Sequence, residues 1–346
     1  MNTFFIIIST LISSFFFIKF FFPISINIGL TDRPTTRKTH SGQIPLIGGI
    51  VVFLTSAINS ILFLPITQQL NLFFIASAMA VFFGALDDKY DVTIRIKAIT
   101  IFIISSIMIY GSNIYISNFG NLLSFGEIRI GFFGVFATFL IFSFVIHSYT
   151  SIDGIDGQLA SLSIVSHFSL AVLFQLYGNE GYHIYLYVIV SALIPPLYFN
   201  ITNLTKAQNK IFMGEAGGWF LGLSFVFFAT LGSQGESAIF KPITAIWLTI
   251  VPIMDNIYII FRRISKGQSP FKPGRDHIHH TLQRYGFSST QVLLIVSVLS
   301  IFSCLIGILG EILAIPEYLM FSFLIAYFIL YFTIQNYFIN SNQSIN

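Results

Sequence analysis

The chain has 346 residues, 55% of them hydrophobic and only 9% charged, with a net charge of +3 and a mean hydropathy of +0.83. A surface that apolar cannot be kept in water, which excludes a soluble domain and predicts an all-α, polytopic integral membrane protein. The one cysteine, Cys304, lies inside an apolar segment, so no intramolecular disulfide can form.

About 20 apolar residues cross a bilayer. Segments of roughly that length are read at 3–22, 46–66, 70–86, 98–112, 131–149, 159–177, 183–201, 217–233, 243–261, 292–310 and 319–338, about eleven spans in a single transmembrane domain over residues 1–346. The first, within "MNTFFIIISTLISSFFFIKFFF", lacks a basic leader and a small-residue cleavage site and is read as a retained span rather than a signal peptide. Loops 23–45, 87–97, 150–158, 202–216 and 262–291 hold 14 of the 17 lysines and arginines, whereas the other loops hold only Arg129 and Lys241. Positive charge marks the inner side, so the N-terminus is expected outside and the C-terminus in the cytoplasm. Pro252 and the Pro195–Pro196 pair predict kinks.

Five polar stretches follow in chain order: "TDRPTTRKTHSGQIPLIGG", "DDKYDVTIRIK", "SIDGIDGQLA", "NKIFMGEAGG" and "SPFKPGRDHIHH". All fall on the face predicted to be cytoplasmic. A transporter would gather its polar groups near the midplane instead.

The second stretch sets Asp87, Asp88 and Asp91 at the end of an apolar run. On a continuing helix Asp87 and Asp91 share a face, and negative charge there opposes the helix dipole. A hard divalent cation with oxygen ligands, Mg²⁺ shared with substrate phosphates, removes both penalties. A hydrated acidic cap neutralised by Lys89, Arg95 and Lys97 is the competing reading. In the third stretch Asp153 or Asp156 alone could be a helix cap; two Asp-Gly pairs three residues apart also suit a polar ligand approaching the backbone. The fourth sets Glu215 among Gly214, Gly217 and Gly218, a ligand site or a turn with close helix packing. The fifth gathers Lys272, Arg275, His277, His279 and His280. Without cysteine or paired carboxylates this favours phosphate over zinc, with a solvated basic loop as competitor. Asp255, inside the ninth apolar segment, is a functional candidate or a structural partner. His147, His167 and His183 are read as packed or interfacial.

Together, in this order and on this face, the five motifs resemble the polyprenyl-phosphate N-acetylhexosamine-1-phosphate transferases over roughly residues 29–292. The likeness is greatest to the undecaprenyl-phosphate N-acetylglucosamine branch, with HIHH rather than the three-histidine form of the muramoyl-pentapeptide branch. The resemblance implies catalytic roles for Asp87, Asp88 and Asp156. It implies Mg²⁺, with Mn²⁺ as alternative, on Asp87, Asp88 and Glu215. It implies substrate contacts from Lys97, Asp153, Asp156, Asn200, Phe212, Arg275, His277, His279 and His280, with Asn200 and Phe212 at the uracil. Two departures stand out: Glu215 where the family usually has aspartate, and His147 and Thr150 in place of the usual asparagines before the DGxDG stretch.

The expected partners are undecaprenyl phosphate, a UDP-N-acetyl-hexosamine and membrane lipid, with a homodimer as an open assembly state and no nucleic acid. The expected setting is a bacterial inner membrane with the active site on the cytoplasmic face. The expected reaction is single displacement of UMP, starting a lipid-linked surface glycan; a covalent aspartyl intermediate and a different UDP-N-acetyl sugar stay open. An aromatic prenyltransferase would carry a second DDxxD-like site, and a CDP-alcohol phosphotransferase an arginine that "DGIDGQLA" lacks. A non-enzymatic carrier explains the spans but not the one-sided motifs.

Overall fold

The structure is a computed structural model and describes residues 2–32, 42–178, 181–201, 204, 207–269, 274 and 276–343. Lys272 and Arg275 of the basic stretch, and residues 33–41 of the first polar stretch, lie outside the described residues.

Helix α1 (Thr3–Ile28) starts at Asn2, whose side chain accepts from the Phe4 N–H at 3.1 Å, and ends at the left-handed Gly29. A two-residue antiparallel pair follows, β1 (Thr31–Asp32) with β2 (Ile44–Pro45), in the register Thr31 to Pro45. The remaining helices are α2 (Gly48–Phe63), α3 (Gln68–Tyr90), α4 (Ile94–Ser106, continued by a π-helical turn Ile107–Gly111), α5 (Phe133–Ser151) and α6 (Gln158–Tyr177). Then come α7 (Tyr182–Asn200), α8 (Gly214–Ser233), α9 (Pro242–Trp247), α10 (Ile250–Ser265), α11 (Ile278–Arg284), α12 (Ser289–Ile312) and α13 (Glu317–Gln343).

Among the described residues, nine helices are long and apolar enough to cross a membrane: α1, α3, α4 with its π turn, α5, α6, α7, α8, α12 and α13. The chain is an all-α, multi-pass membrane protein. Two expected spans take another form. Helix α2 has 16 residues, about 24 Å at 1.5 Å per residue, short of a hydrocarbon layer of about 30 Å. The 243–261 segment is broken into α9 and α10 around Leu248 and Thr249.

Proline accounts for that break. In an unbroken helix the N–H missing at Pro252 would have met the Leu248 carbonyl; that carbonyl instead accepts from Cys304 Sγ of α12 at 3.3 Å. Helix α7 runs unbroken through Pro195–Pro196, and the Ala192 carbonyl, which Pro196 leaves without its helical donor, accepts from the Ser14 hydroxyl of α1 at 2.8 Å. Side chains from neighbouring helices thus take up polar groups that lipid could not satisfy.

Helix α8 is the axis of the bundle. Of its apolar window 94% is buried, against 22% for α1 and 11% for α13, which lie on the lipid-facing rim. Small residues let other helices close on it: a Cβ on Gly84 of α3 would lie 2.5 Å from Ala216 Cα, and one on Gly218 would meet Thr150 of α5 at 2.6 Å. Such close approach is how helices associate where lipid removes the hydrophobic drive. A buried polar chain adds cohesion, with His167 Nε2 2.7 Å from Ser224 Oγ and Tyr149 Oη joined to Ser166 at 3.0 Å and Thr249 at 3.1 Å. His167 is thus a packed histidine, as its position in the sequence suggested.

Substituting Gly84→Ala forces α3 and α8 apart and is expected to cost about 1–3 kcal/mol, the range for overpacking. Ser14→Ala, which removes only one hydrogen bond to Ala192, is expected to cost about 1 kcal/mol. Thermal melts of the purified protein in one detergent check this order.

Candidate active site

Helix α3 ends in the acidic cluster. Its last residue is Tyr90, and Asp91 is the left-handed C-cap at φ 52°, its N–H bonded to the Asp87 carbonyl at 2.9 Å. Asp87 is buried; its Oδ1 accepts from Val92 N–H at 2.8 Å and its Oδ2 pairs with the Lys97 ammonium at the start of α4. The carboxylate of Asp88 turns the other way, accepting from the N–H groups of Glu215 at 2.9 Å and Ala216 at 3.4 Å. These are first-turn donors of α8, where a negative charge meets the positive end of the helix dipole. Gly214 is required there: its φ is +70°, and a Cβ would come 2.5 Å from Asp88 Oδ2. Glu215 follows directly, within the electrostatic field of Lys97, Asp87 and Asp91, with a hydrogen bond to Trp219.

The 153–157 loop, between α5 and α6, faces this cluster. Burial, together with repulsion from Glu215 and Asp156, pushes the Asp153 carboxyl up to about 7. Asp156 pairs with Lys210 Nζ at 2.7 Å, and the same ammonium lies 5.0 Å above the Phe212 ring. Asn200, at the end of α7, is buried with both amide atoms engaged on backbone: Oδ1 accepts from Gly157 N–H at 2.5 Å, and Nδ2 donates to the Ile211 carbonyl at 2.8 Å. Phe212 is pinned by its own backbone, N–H to Pro45 O and carbonyl to Gly48 N–H, both at 2.9 Å.

The histidine stretch closes the same end of the bundle. His277 Nδ1 lies 2.6 Å from Asp255 Oδ2, and its ring stacks on His279 with centroids 5.5 Å apart and planes 1° apart. His279 is buried and lies directly under Gly154, where any side chain would overlap its Nε2. Burial and the neighbouring His280 push His279 down to about 3, so it is neutral. Arg262 and Arg263 converge on Asp276 at 3.0 and 3.6 Å. His147 of α5 lies within electrostatic reach of His277, Lys97 and Arg263, which joins the histidines to the Lys97–Asp87 side of the site.

The structure therefore brings together Asp87, Asp88, Lys97, Asp153, Asp156, Glu215, His277 and His279, with Asn200 and Phe212 as the wall behind Asp156. His280 packs on His279 at 4.2 Å. Three participants were not singled out for the site: Lys210, Asp276 and Gln158. Lys210 was visible only as a cation in "NKIFMGEAGG". Gln158 is buried, and neither atom of its amide has a partner among the described residues.

The donor set fits a hard divalent cation held jointly with substrate. Asp87, Asp88 and Glu215 offer only carboxylate oxygens, and those bonded to backbone N–H groups keep a second lone pair. No three His, Cys, Asp or Glu side chains among the described residues are grouped to hold an ion by themselves. Mg²⁺ commonly uses one or two carboxylates and completes its shell with phosphates and water.

Comparison with known proteins agrees with this architecture. The model of Glycosyl transferase family 4 matches residues 70–233, which include the α3 acids, the 153–157 loop and α8. The undecaprenyl-phosphate alpha-N-acetylglucosaminyl 1-phosphate transferase of Yersinia pestis is 34% identical over 312 residues, 89% of this chain and 84% of that protein. Its namesake in Escherichia coli K12 is 32% identical over 93% of this chain and 88% of that protein, and the one in Pasteurella multocida 33% over 94% and 91%. With these relatives aligned over nearly the whole chain, the protein belongs to glycosyl transferase family 4, among the membrane enzymes that transfer a sugar-1-phosphate to a polyprenyl phosphate.

Proposed function

We propose that the protein transfers N-acetylglucosamine-1-phosphate from UDP-N-acetylglucosamine to undecaprenyl phosphate and releases UMP, as the relatives' names describe for them. The observation that carries this reading is the meeting of acids from α3, α8 and the 153–157 loop with Lys97, Lys210 and His277 at one end of an otherwise apolar bundle. In the reading adopted here the chain crosses a bacterial inner membrane eleven times with α2 and the α9–α10 pair included. The N-terminus is outside, the C-terminus inside and the site cytoplasmic, as the basic loops favour. The product would start a lipid-linked surface glycan, and a homodimer remains part of the proposal only as an assembly state.

The reaction joins two anions. A phosphate oxygen of the lipid attacks the β-phosphorus of the nucleotide sugar, the bond from that phosphorus to the bridging oxygen breaks, and UMP departs with the bridging oxygen. Phosphoryl transfer is chiefly positioning and charge stabilisation. A phosphate monoester with a second pKa near 6 is already mostly dianionic at neutral pH, so no side chain has to take its proton. Lys97 and His277 lower the repulsion between the two phosphates. Asp153, half-buried and with no cation paired to it among the described residues, is suited to the N–H and hydroxyl donors of a nucleoside, while Lys210 holds Asp156 beside it. Mg²⁺, held on Asp87, Asp88 and Glu215, would supply Lewis-acid charge neutralisation. A different UDP-N-acetyl sugar is the second reading, favoured by Thr150, which packs on Gly218 and bonds to the His147 carbonyl at 2.9 Å.

Purified protein given undecaprenyl phosphate and a panel of UDP-sugars should release UMP fastest with UDP-N-acetylglucosamine. Chelation should stop the release and added Mg²⁺ restore it; no turnover with any donor would overturn the reading. In the same assay Glu215→Gln is expected to lower kcat by about 10²-fold or more, the loss typical of removing a transition-state charge contact. Glu215→Asp keeps the carboxylate and is expected to retain most of the activity.

A further inference from the structure

Asp255 lies on α10, fully buried, and the reaction as written gives it no task. Its carboxylate accepts three hydrogen bonds. Oδ1 takes the Ile278 N–H at 2.9 Å and the Tyr331 hydroxyl of α13 at 2.8 Å, and Oδ2 takes His277 Nδ1 at 2.6 Å. Gln335 Nε2 donates to the Tyr331 oxygen at 3.0 Å, which leaves the tyrosine proton for Asp255. An anchor for the start of α11 would need only Oδ1. The second oxygen is given to the imidazole.

We infer that Asp255 is a positioning residue for the reaction: it holds a proton on His277 Nδ1, so that the ring meets a diphosphate ligand as an imidazolium, with Nδ1–H on Asp255 and Nε2–H donated to a phosphate oxygen. An ionised carboxylate can only accept, so Nδ1 carries a proton whether the ring is neutral or charged. The ring cannot readily turn over, because it stacks flat on His279, itself wedged under Gly154. The side chain of His277 remains 14% exposed, enough for a ligand to reach it, and it shares the field of His147 with Lys97. This is the logic of a nucleophile's base oriented by a third group, here applied to a phosphate-facing imidazole.

Asparagine at 255 keeps the size and reverses the proton. With its oxygen retained by the Ile278 N–H and the Tyr331 hydroxyl, its NH₂ faces Nδ1, which must then accept, and the ring proton moves to Nε2. The inference rests on the proposed reaction for the ligand's identity alone; the tautomer belongs to the protein itself.

The experiment is solid-state NMR of ¹⁵N,¹³C-histidine-labelled protein in lipid bilayers, paired with calorimetric titration of UDP. The chain has seven histidines, so a His277→Asn sample identifies the resonance. The expected result without ligand is a strongly hydrogen-bonded Nδ1–H at His277 in the wild type and Nε2–H in Asp255→Asn; with UDP bound, the wild-type ring is protonated on both nitrogens and the Asp255→Asn ring on Nε2 alone. UDP affinity should fall about 10–100-fold in Asp255→Asn, because beside an amide NH₂ the ring cannot carry the second proton and meets the diphosphate uncharged; the range is that for removing the partner that orients a metal-bound histidine. Asp255→Glu should recover part of it, and Tyr331→Phe should keep both the tautomer and the affinity. An unchanged tautomer in Asp255→Asn overturns the inference. Equal loss of affinity in Tyr331→Phe and Asp255→Asn, with both melting early, also overturns it, since Asp255 would then be a structural anchor only. Wild-type protein with the Nδ1–H tautomer but no affinity for UDP would count against the proposed reaction and leave the Asp255–His277 coupling standing.

Discussion

The bond from the Asp88 carboxylate to the first N–H groups of α8 is the contact around which the polar end of the molecule is built. A helix N-terminus ordinarily attracts an anion from outside. Here the chain supplies its own, and the helix dipole is spent on holding α3 against α8. Gly84 against Ala216, and the left-handed Gly214, exist to let that carboxylate come close. Once it is there, Glu215 has to project beside Asp87 and Lys97, because it is the next residue along the same turn. The result is a region rich in carboxylate oxygens, with Lys97 inserted among them and paired with Asp87.

The back of the site is made of groups that answer one another rather than a ligand. Asn200 commits both ends of its amide to the backbone of Gly157 and Ile211, so it holds the 153–157 loop from behind. His279 is neutral and covered, and its contribution is to press the histidine stretch onto Gly154. Residues that the family resemblance groups together as substrate contacts therefore separate: Asp153 and His277 keep an open face, Asn200 has both amide atoms committed to backbone, and His279 is buried with no hydrogen-bond partner for Nδ1 among the described residues.

Burial governs the membrane-embedded part as well. At Pro196 and Pro252, where proline removes a donor, a hydroxyl or thiol from another helix takes the carbonyl, Ser14 for Ala192 and Cys304 for Leu248. In one case the helix continues, and in the other it divides. Both outcomes are local answers to one requirement, that no backbone carbonyl faces hydrocarbon alone.

Apolar length and the spacing of polar stretches were enough to read nine of the eleven expected spans as long apolar helices, because a bilayer imposes its thickness on a span; that α2 stops at 16 residues and that 243–261 divides at Leu248 and Thr249 were not legible. The gathering of acids and bases on one side was legible as well. What the order of residues could not tell is which polar groups meet. Asp88 and Glu215 stand 127 positions apart, Asp255 and Tyr331 76. Hydrogen bonds at such separations leave no period in the chain, and an aspartate on a helix N-terminus, one bonded to a histidine and one paired with a lysine are the same letter. Only the packing of α8 on α3, and of α10 on α13, assigned each its partner, since the direction of a side chain is decided by the helix faces that tertiary contact brings together.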